Sequence, residues 1–115
     1  MQVTKGWGYE DIWASTKDYC GKKLVFDAGK KCSMHFHAIK DETWLVESGE
    51  FRVEWIETNS GAIKTQTLKA GDTWHNPPLL PHRLVCIKRG TVAEVSTYDD
   101  LNDNYRVLPG DSQCM

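Results

Sequence analysis

Apolar and polar residues alternate along much of this chain with a period of two. Met34 and Phe36 interleave with His35 and His37, and Leu84 and Cys86 follow His82 at every second position. That period places successive side chains on opposite faces of a strand. The alternating segments are short, rich in β-branched and aromatic residues, and punctuated by glycine and proline. The pattern predicts strands over residues 22–27 and 33–39, then a hairpin of 43–47 and 50–57 turning at Ser48 and Gly49. A turn cluster at 58–61 leads into a returning strand over 62–68. Two further strands, 82–88 and 91–98, are expected to be joined by a turn at Arg89 and Gly90. No segment sustains a helical period, and residues 99–105 could form one helical turn at most. Seven or more short strands with regular turns predict an all-β sandwich or barrel.

Length narrows this further. At 115 residues the chain is expected to be one domain, residues 1–115, with room for one core and one pocket. With 40% hydrophobic and 26% charged residues it has the composition of a globular protein rather than a disordered one. Its 14 basic and 16 acidic residues leave a net charge of −2, which argues against binding to duplex nucleic acid. No apolar run approaches the roughly 20 residues of a membrane span, and the N-terminus has no apolar signal core. Cys20, Cys32, Cys86 and Cys114 lack the close pairing of a structural zinc site. They read as structural thiols of a reduced, cytoplasmic protein rather than as a disulfide framework.

The candidate chemistry lies with the histidines. On a strand, His35 and His37 project from one face while Met34 and Phe36 project from the other. Glu42 opens the next strand, and His82 follows the proline-rich turn of Pro77, Pro78 and Pro81. A His-x-His pair on a strand is common by chance, so the surrounding spacing carries the argument. Three imidazoles and one carboxylate suit one divalent transition metal, Fe, Mn, Ni or Zn. They suit Mg or Ca poorly, since those take oxygen shells.

Gly29, His35, His37, Glu42 and Gly49 fall on every fixed position of the pattern G(X)5HXH(X)3–4E(X)6G. Gly71, Pro77 and His82 fall on G(X)5PXG(X)2H(X)3N, with Leu79 in place of its second glycine and Cys86 in place of its asparagine. In these two motifs the chain resembles the cupin superfamily. The resemblance implies a small jelly-roll (double-stranded β-helix) barrel with a metal bound inside by His35, His37, Glu42 and His82. Neither departure removes a ligand; the first falls in a turn and the second at a packing position. A narrower resemblance lies in the flanks. Trp7, Gly8 and Glu10, the segments around Trp44, Arg83 and Glu94, and the tail with Asp99, Asp100, Asp103, Tyr105 and Arg106 look like the cupin domain of type II mannose-6-phosphate isomerases. In that group the first ligand position usually holds Gln; here His35 gives the fuller metal set.

The narrower resemblance implies aldose–ketose isomerisation of a phosphorylated sugar. That reaction needs a base beside the carbonyl carbon and a cation for the enediolate charge. Glu94, a carboxylate within the apolar run 91–97, is the first candidate base. Its competing reading is a structural ion pair with Arg83 or Arg106. Lys23 is the second candidate, as a base or a phosphate ligand, against a purely structural role. Lys30, Lys31 and Arg106 are further cations available to a phosphate. Trp44, two residues after Glu42, is expected to form a pocket wall. His75 is a candidate for the pocket mouth, although a solvated loop histidine is the commoner case. Arg83 is expected to point outward, toward Glu10 or an aspartate of the tail. Phe36, Trp55 and Trp74 read as packing, and the five tryptophans could also cover the face of a homodimer. A non-haem dioxygenase, a lyase, or a non-catalytic sugar-binding module could use the same ligands. A solvent-facing Glu94 would favour the last of these.

Overall fold

A computed structural model describes residues 1–113. It contains nine strands and, among the described residues, no helix: β1 (Gln2–Lys5), β2 (Gly8–Ser15), β3 (Tyr19–Phe26), β4 (Met34–Phe36), β5 (Glu42–Ile56), β6 (Ile63–Lys69), β7 (Thr73–Asn76), β8 (His82–Thr97) and β9 (Tyr105–Leu108). Among the described residues, no helix is long and apolar enough to cross a membrane.

The two longest strands organise the barrel. β5 and β8 pair antiparallel over their whole length, from Glu42 opposite Ser96 to Trp55 opposite His82. Their paired ladder bends midway. The half of β8 from Gly90 onward also pairs with β3, which carries β2 and β1, while the matching half of β5 pairs with β7. The other half of β8 meets β4 and, through it, β9, and the matching half of β5 meets β6. One folded-over ladder thus belongs to both sheets of a jelly roll, the expected fold class.

The bend corrects the expected hairpins. Ser48–Gly49 and Arg89–Gly90 are corners within continuous strands, not turns between separate ones. Register shifts run from Val46 to Phe51, and Gly49 adopts φ 83°. A Cβ on Gly49 would lie 2.6 Å from the Arg89 carbonyl oxygen, and one on Gly90 would lie 2.0 Å from that of Ser48. Two glycines face each other because the corner leaves no room for side chains on either strand.

β1, β2, β7 and β9 had no counterpart in the sequence pattern. Most of their residues are polar or exposed, and β1 and β9 are edge strands. Within residues 99–105 the chain makes a turn, with the Asp103 N–H donating to the Asp100 carbonyl at 2.9 Å, and Tyr105 already belongs to β9. The core follows the alternation. Leu24 and Phe26, Trp44 and Val46, Phe51 and Val53, Leu84 and Cys86 each occupy every second position of their strand, and Trp7, Leu68 and Val92 complete the cluster. Trp7 stacks on Phe26 at 4.1 Å. Full burial of each large apolar side chain contributes about 1.5–3 kcal/mol. Trp55 packs on Trp74 and Phe36 stacks on Tyr105, as expected of packing residues. Cys20, Cys32 and Cys86 are free thiols, and Cys114 lies outside the described residues.

Candidate metal centre

The structure brings His35, His37, Glu42 and His82 together. One ligand atom from each lies within 4.8 Å of all the others. The Glu42 Oε1 atom is 2.8 Å from His82 Nε2 and 3.7 Å from His37 Nε2. Glu42 and His82 are 3% and 1% exposed, yet Glu42 Oε1, His37 Nε2 and His82 Nε2 have no hydrogen-bond partner among the described residues. Each orphaned polar atom of this kind costs about 1–3 kcal/mol. Three such atoms facing one another form a cradle that a cation satisfies.

The far side of each ring fixes its tautomer. His35 Nδ1 donates to the Ser33 carbonyl and His82 Nδ1 to the Leu80 carbonyl, both at 2.8 Å, and His37 Nδ1 donates to the Asp103 carbonyl. A carbonyl can only accept, so Nδ1 carries a proton in each ring, which in a neutral ring leaves the Nε2 lone pair free for a cation. Burial, with the neighbouring His82, pushes the His35 imidazolium down to about 3, and burial pushes that of His82 to about 4. Both rings are therefore neutral at neutral pH, as metal ligation requires. Three imidazole nitrogens and a carboxylate oxygen fit one divalent transition metal.

The loop from His37 to Glu42 is wrapped around a residue of the tail. The Asp103 carboxylate accepts the backbone N–H groups of Ala38, Ile39 and Lys40 at 2.7, 3.1 and 3.0 Å. From the other side, the Leu79 N–H donates to the His37 carbonyl at 2.7 Å. Leu79 has φ 72°, the only non-glycine residue described with positive φ. It stands where the second motif has its glycine, so the turn keeps the left-handed geometry without the usual residue.

Beside the cradle lies a solvent-connected cavity of about 150 Å³. Its inner wall includes Trp7, Leu24, Phe26, Trp44 and Leu84, and its rim carries Lys5, Leu101 and Arg106. Glu94 faces this cavity and is 5% exposed. Its Oε1 accepts the Trp44 indole N–H at 3.2 Å and its Oε2 accepts the Lys40 ammonium at 3.1 Å. Lys40 also reaches Asp99 at 3.1 Å and Glu42 at 3.8 Å, and Asp99 reaches Lys22 at 2.9 Å. Burial raises the Glu94 carboxyl to about 7, with Glu42 acting in the same direction and Lys40 opposing. Burial would also raise the Asp99 carboxyl, but the Lys40 and Lys22 ammonium groups hold it down at about 2.

Several expected site residues lie elsewhere. Lys23 is on the outer face of β3, paired with Glu47 at 2.8 Å, and Lys22 takes the inward position. The β3 alternation carries the signal: Lys22 shares the face of Leu24 and Phe26, and Lys23 does not. His75 is exposed, bonds to Asp41 and lies away from the cavity. Lys30 and Lys31 do not line it either. Arg83 pairs with Glu54 at 2.7 Å, directly across β5 and β8, rather than with Glu10 or the tail. The ion partner of Glu94 is Lys40, not Arg83 or Arg106. Trp44 and Arg106 do line the cavity. Lys40, Asp99 and Asp103 were missed as site residues. Lys40 sits in a loop, where alternation says nothing about direction, and Asp103 acts partly through its backbone.

No family model matches the chain. No sequence among the curated proteins matches it either. Solved structures do. Oxalate decarboxylase from Bacillus subtilis superposes with a TM-score of 0.79 at 17% identity, over 93% of this chain and 30% of that one. KdgF from Halomonas sp. gives 0.71 at 24% identity, over 82% of this chain and 81% of that one. CapF, in complex with the inhibitor 3-isopropenyl-tropolone, gives 0.79 at 17% identity over 94% and 34%. This chain thus spans less than a third of the decarboxylase, and at these identities the likeness is one of fold.

Proposed function

Taking the cupin fold as premise, we propose that this chain is a metal-dependent aldose–ketose isomerase acting on a phosphorylated sugar such as mannose 6-phosphate. The observation that carries the reading is one cavity lined by three members of the four-ligand cradle, His35, His37 and Glu42, and by a buried, oriented carboxylate, Glu94. Glu94 faces the cavity rather than bulk solvent, which weighs against a pure binding module. A divalent metal held by His35, His37, Glu42 and His82 would supply Lewis-acid polarisation of the carbonyl and hydroxyl oxygens.

The chain's own groups do the rest. Glu94 takes the proton from the carbon beside the carbonyl and returns it to the former carbonyl carbon, while the proton of the adjacent hydroxyl passes to the former carbonyl oxygen. Trp44 and Lys40 hold the two Glu94 oxygens, so the base needs no reorganisation before it acts. Leu24, Phe26 and Leu84 keep the inner wall apolar and limit exchange of the transferred proton with water. Arg106 at the rim has no carboxylate partner among the described ion pairs and is placed to meet the phosphate.

Incubation of protein loaded with Fe, Mn, Ni or Zn in turn with mannose 6-phosphate should yield fructose 6-phosphate. No product with any of the four metals rejects the isomerase reading. Glu94→Gln should keep stoichiometric metal and lose turnover, and His82→Ala should lose the metal. A lyase reading draws support from the likeness to an oxalate decarboxylase, and incubating the same loaded samples with oxalate tests it.

A further inference from the structure

We infer that Asp103 is a positioning residue for the metal, and that through it the C-terminal segment and the metal dock together. The inference rests on the metal reading of the four-residue cradle. The three histidines are oriented in different ways. His35 and His82 are held by carbonyls two residues away, those of Ser33 and Leu80, so each ring is set by its own local backbone. His37 is held by the Asp103 carbonyl, 66 positions along the chain. The Asp103 carboxylate also gathers three successive N–H groups, those of Ala38, Ile39 and Lys40, in the loop that joins His37 to Glu42. Asp103 is only 6% exposed, so water cannot readily replace those bonds. One tail residue therefore fixes both the orientation of one ligand and the shape of the loop leading to another.

Two consequences follow. Partners of this kind behind a ligand typically carry about 10–100-fold in metal affinity. Coupling between two binding events is also reciprocal: if the docked tail raises metal affinity, metal raises tail docking by the same factor. The tail has a second anchor that avoids the ligand loop. Asp111 Oδ2 accepts the Lys31 N–H at 2.7 Å, and Ser112 Oγ accepts the Gly6 N–H at 3.1 Å. This anchor separates loss of tail packing from loss of ligand positioning.

The experiment titrates the metal-free full chain with Co²⁺ and follows the d–d band. Wild-type protein should bind one Co²⁺. Asp103→Ala keeps the carbonyl that holds His37 but frees the three loop amides, so it should bind Co²⁺ about 10-fold more weakly with an altered band, and Asp103→Asn, which keeps one acceptor oxygen, should fall between. Asp111→Ala should lower thermal stability while leaving Co²⁺ affinity and band unchanged. Hydrogen exchange of the wild-type chain with and without Zn²⁺ is the second arm, and it needs no variant to fold. Zn²⁺ should slow exchange at Ala38, Ile39 and Lys40 and in the tail around Asp103. Affinity within twofold of wild type in both Asp103 variants, or unchanged exchange at those amides, overturns the inference. Failure of the wild-type chain to bind Co²⁺ overturns the metal reading itself, and this inference with it.

Discussion

Replacing Lys40 with Met removes one ammonium group and keeps most of the aliphatic stem. In the native chain that group is 4% exposed and lies 3.1 Å from both Glu94 and Asp99. At an effective dielectric of about 20, each such contact represents roughly 5 kcal/mol of gross attraction. Desolvation of the ions takes back several kcal/mol apiece. Removing one member of such a cluster strands the others, at a net cost of about 3–5 kcal/mol. A domain of this kind is stable by roughly 5–15 kcal/mol, so the variant should still fold. Urea unfolding at neutral pH, followed by tryptophan fluorescence with chelator present, reads the loss directly. With a urea slope of about 2 kcal/mol/M, the midpoint should fall by roughly 2 M. Lys40→Met combined with Glu94→Gln should recover about 1–3 kcal/mol of it, because the stranded charge is gone. A Lys40→Met loss below about 1 kcal/mol, or no recovery in the double variant, would refute the reasoning. The cluster would then behave as a solvated surface pair.

Asp99 makes a pH-dependent contribution with a definite sign. Its carboxyl is held at about 2, below its usual 3.8, so its contribution is complete above about pH 4 and drains away as pH falls toward 2. That step is worth about 2 kcal/mol, so between pH 4 and 2 wild-type protein should lose about 2 kcal/mol more than Asp99→Asn. Equal losses in acid denaturation would reject this. Leu79 sits at φ 72° and is 61% exposed. Leu79→Gly relieves about 1–2 kcal/mol of left-handed strain and gives back about 0.5–1 kcal/mol to the unfolded chain. Thermal unfolding should show it unchanged or slightly stabilised, and a loss above about 1 kcal/mol contradicts the strain argument.

Alternation carried the sequence reading wherever a strand buries one face. It placed Leu84 and Cys86 inward after His82, put Trp44 in the pocket wall and brought His35 and His37 to one face. Applied to β3 it would also have exchanged Lys23 for Lys22, since Leu24 and Phe26 mark the inward side. The corners were not legible, because a Ser-Gly or Arg-Gly pair looks the same in a hairpin turn and in a bend of a continuous strand. Only the pairing of β5 with β8 along their length distinguishes the two. The Glu54–Arg83 pair needed that register as well. Lys40 and Asp103 needed more: their roles depend on where a loop and a tail settle after the barrel has formed, and no local period encodes that.

The corner at Gly49 and Gly90 also determines what a bound cation would do mechanically. Glu42 lies at one end of the β5–β8 ladder and Trp55, opposite His82, at the other. Those 13 steps along β5, from residue 42 to 55, would span roughly 40 Å if the strand ran straight. The corner doubles the ladder back until Glu42 Oε1 and His82 Nε2 are 2.8 Å apart. A cation held by both residues is therefore a clasp that joins the two ends of one folded-over ladder. Opening the barrel at its bend would mean breaking coordination bonds, so metal loading should raise the barrier to unfolding both sheets at once.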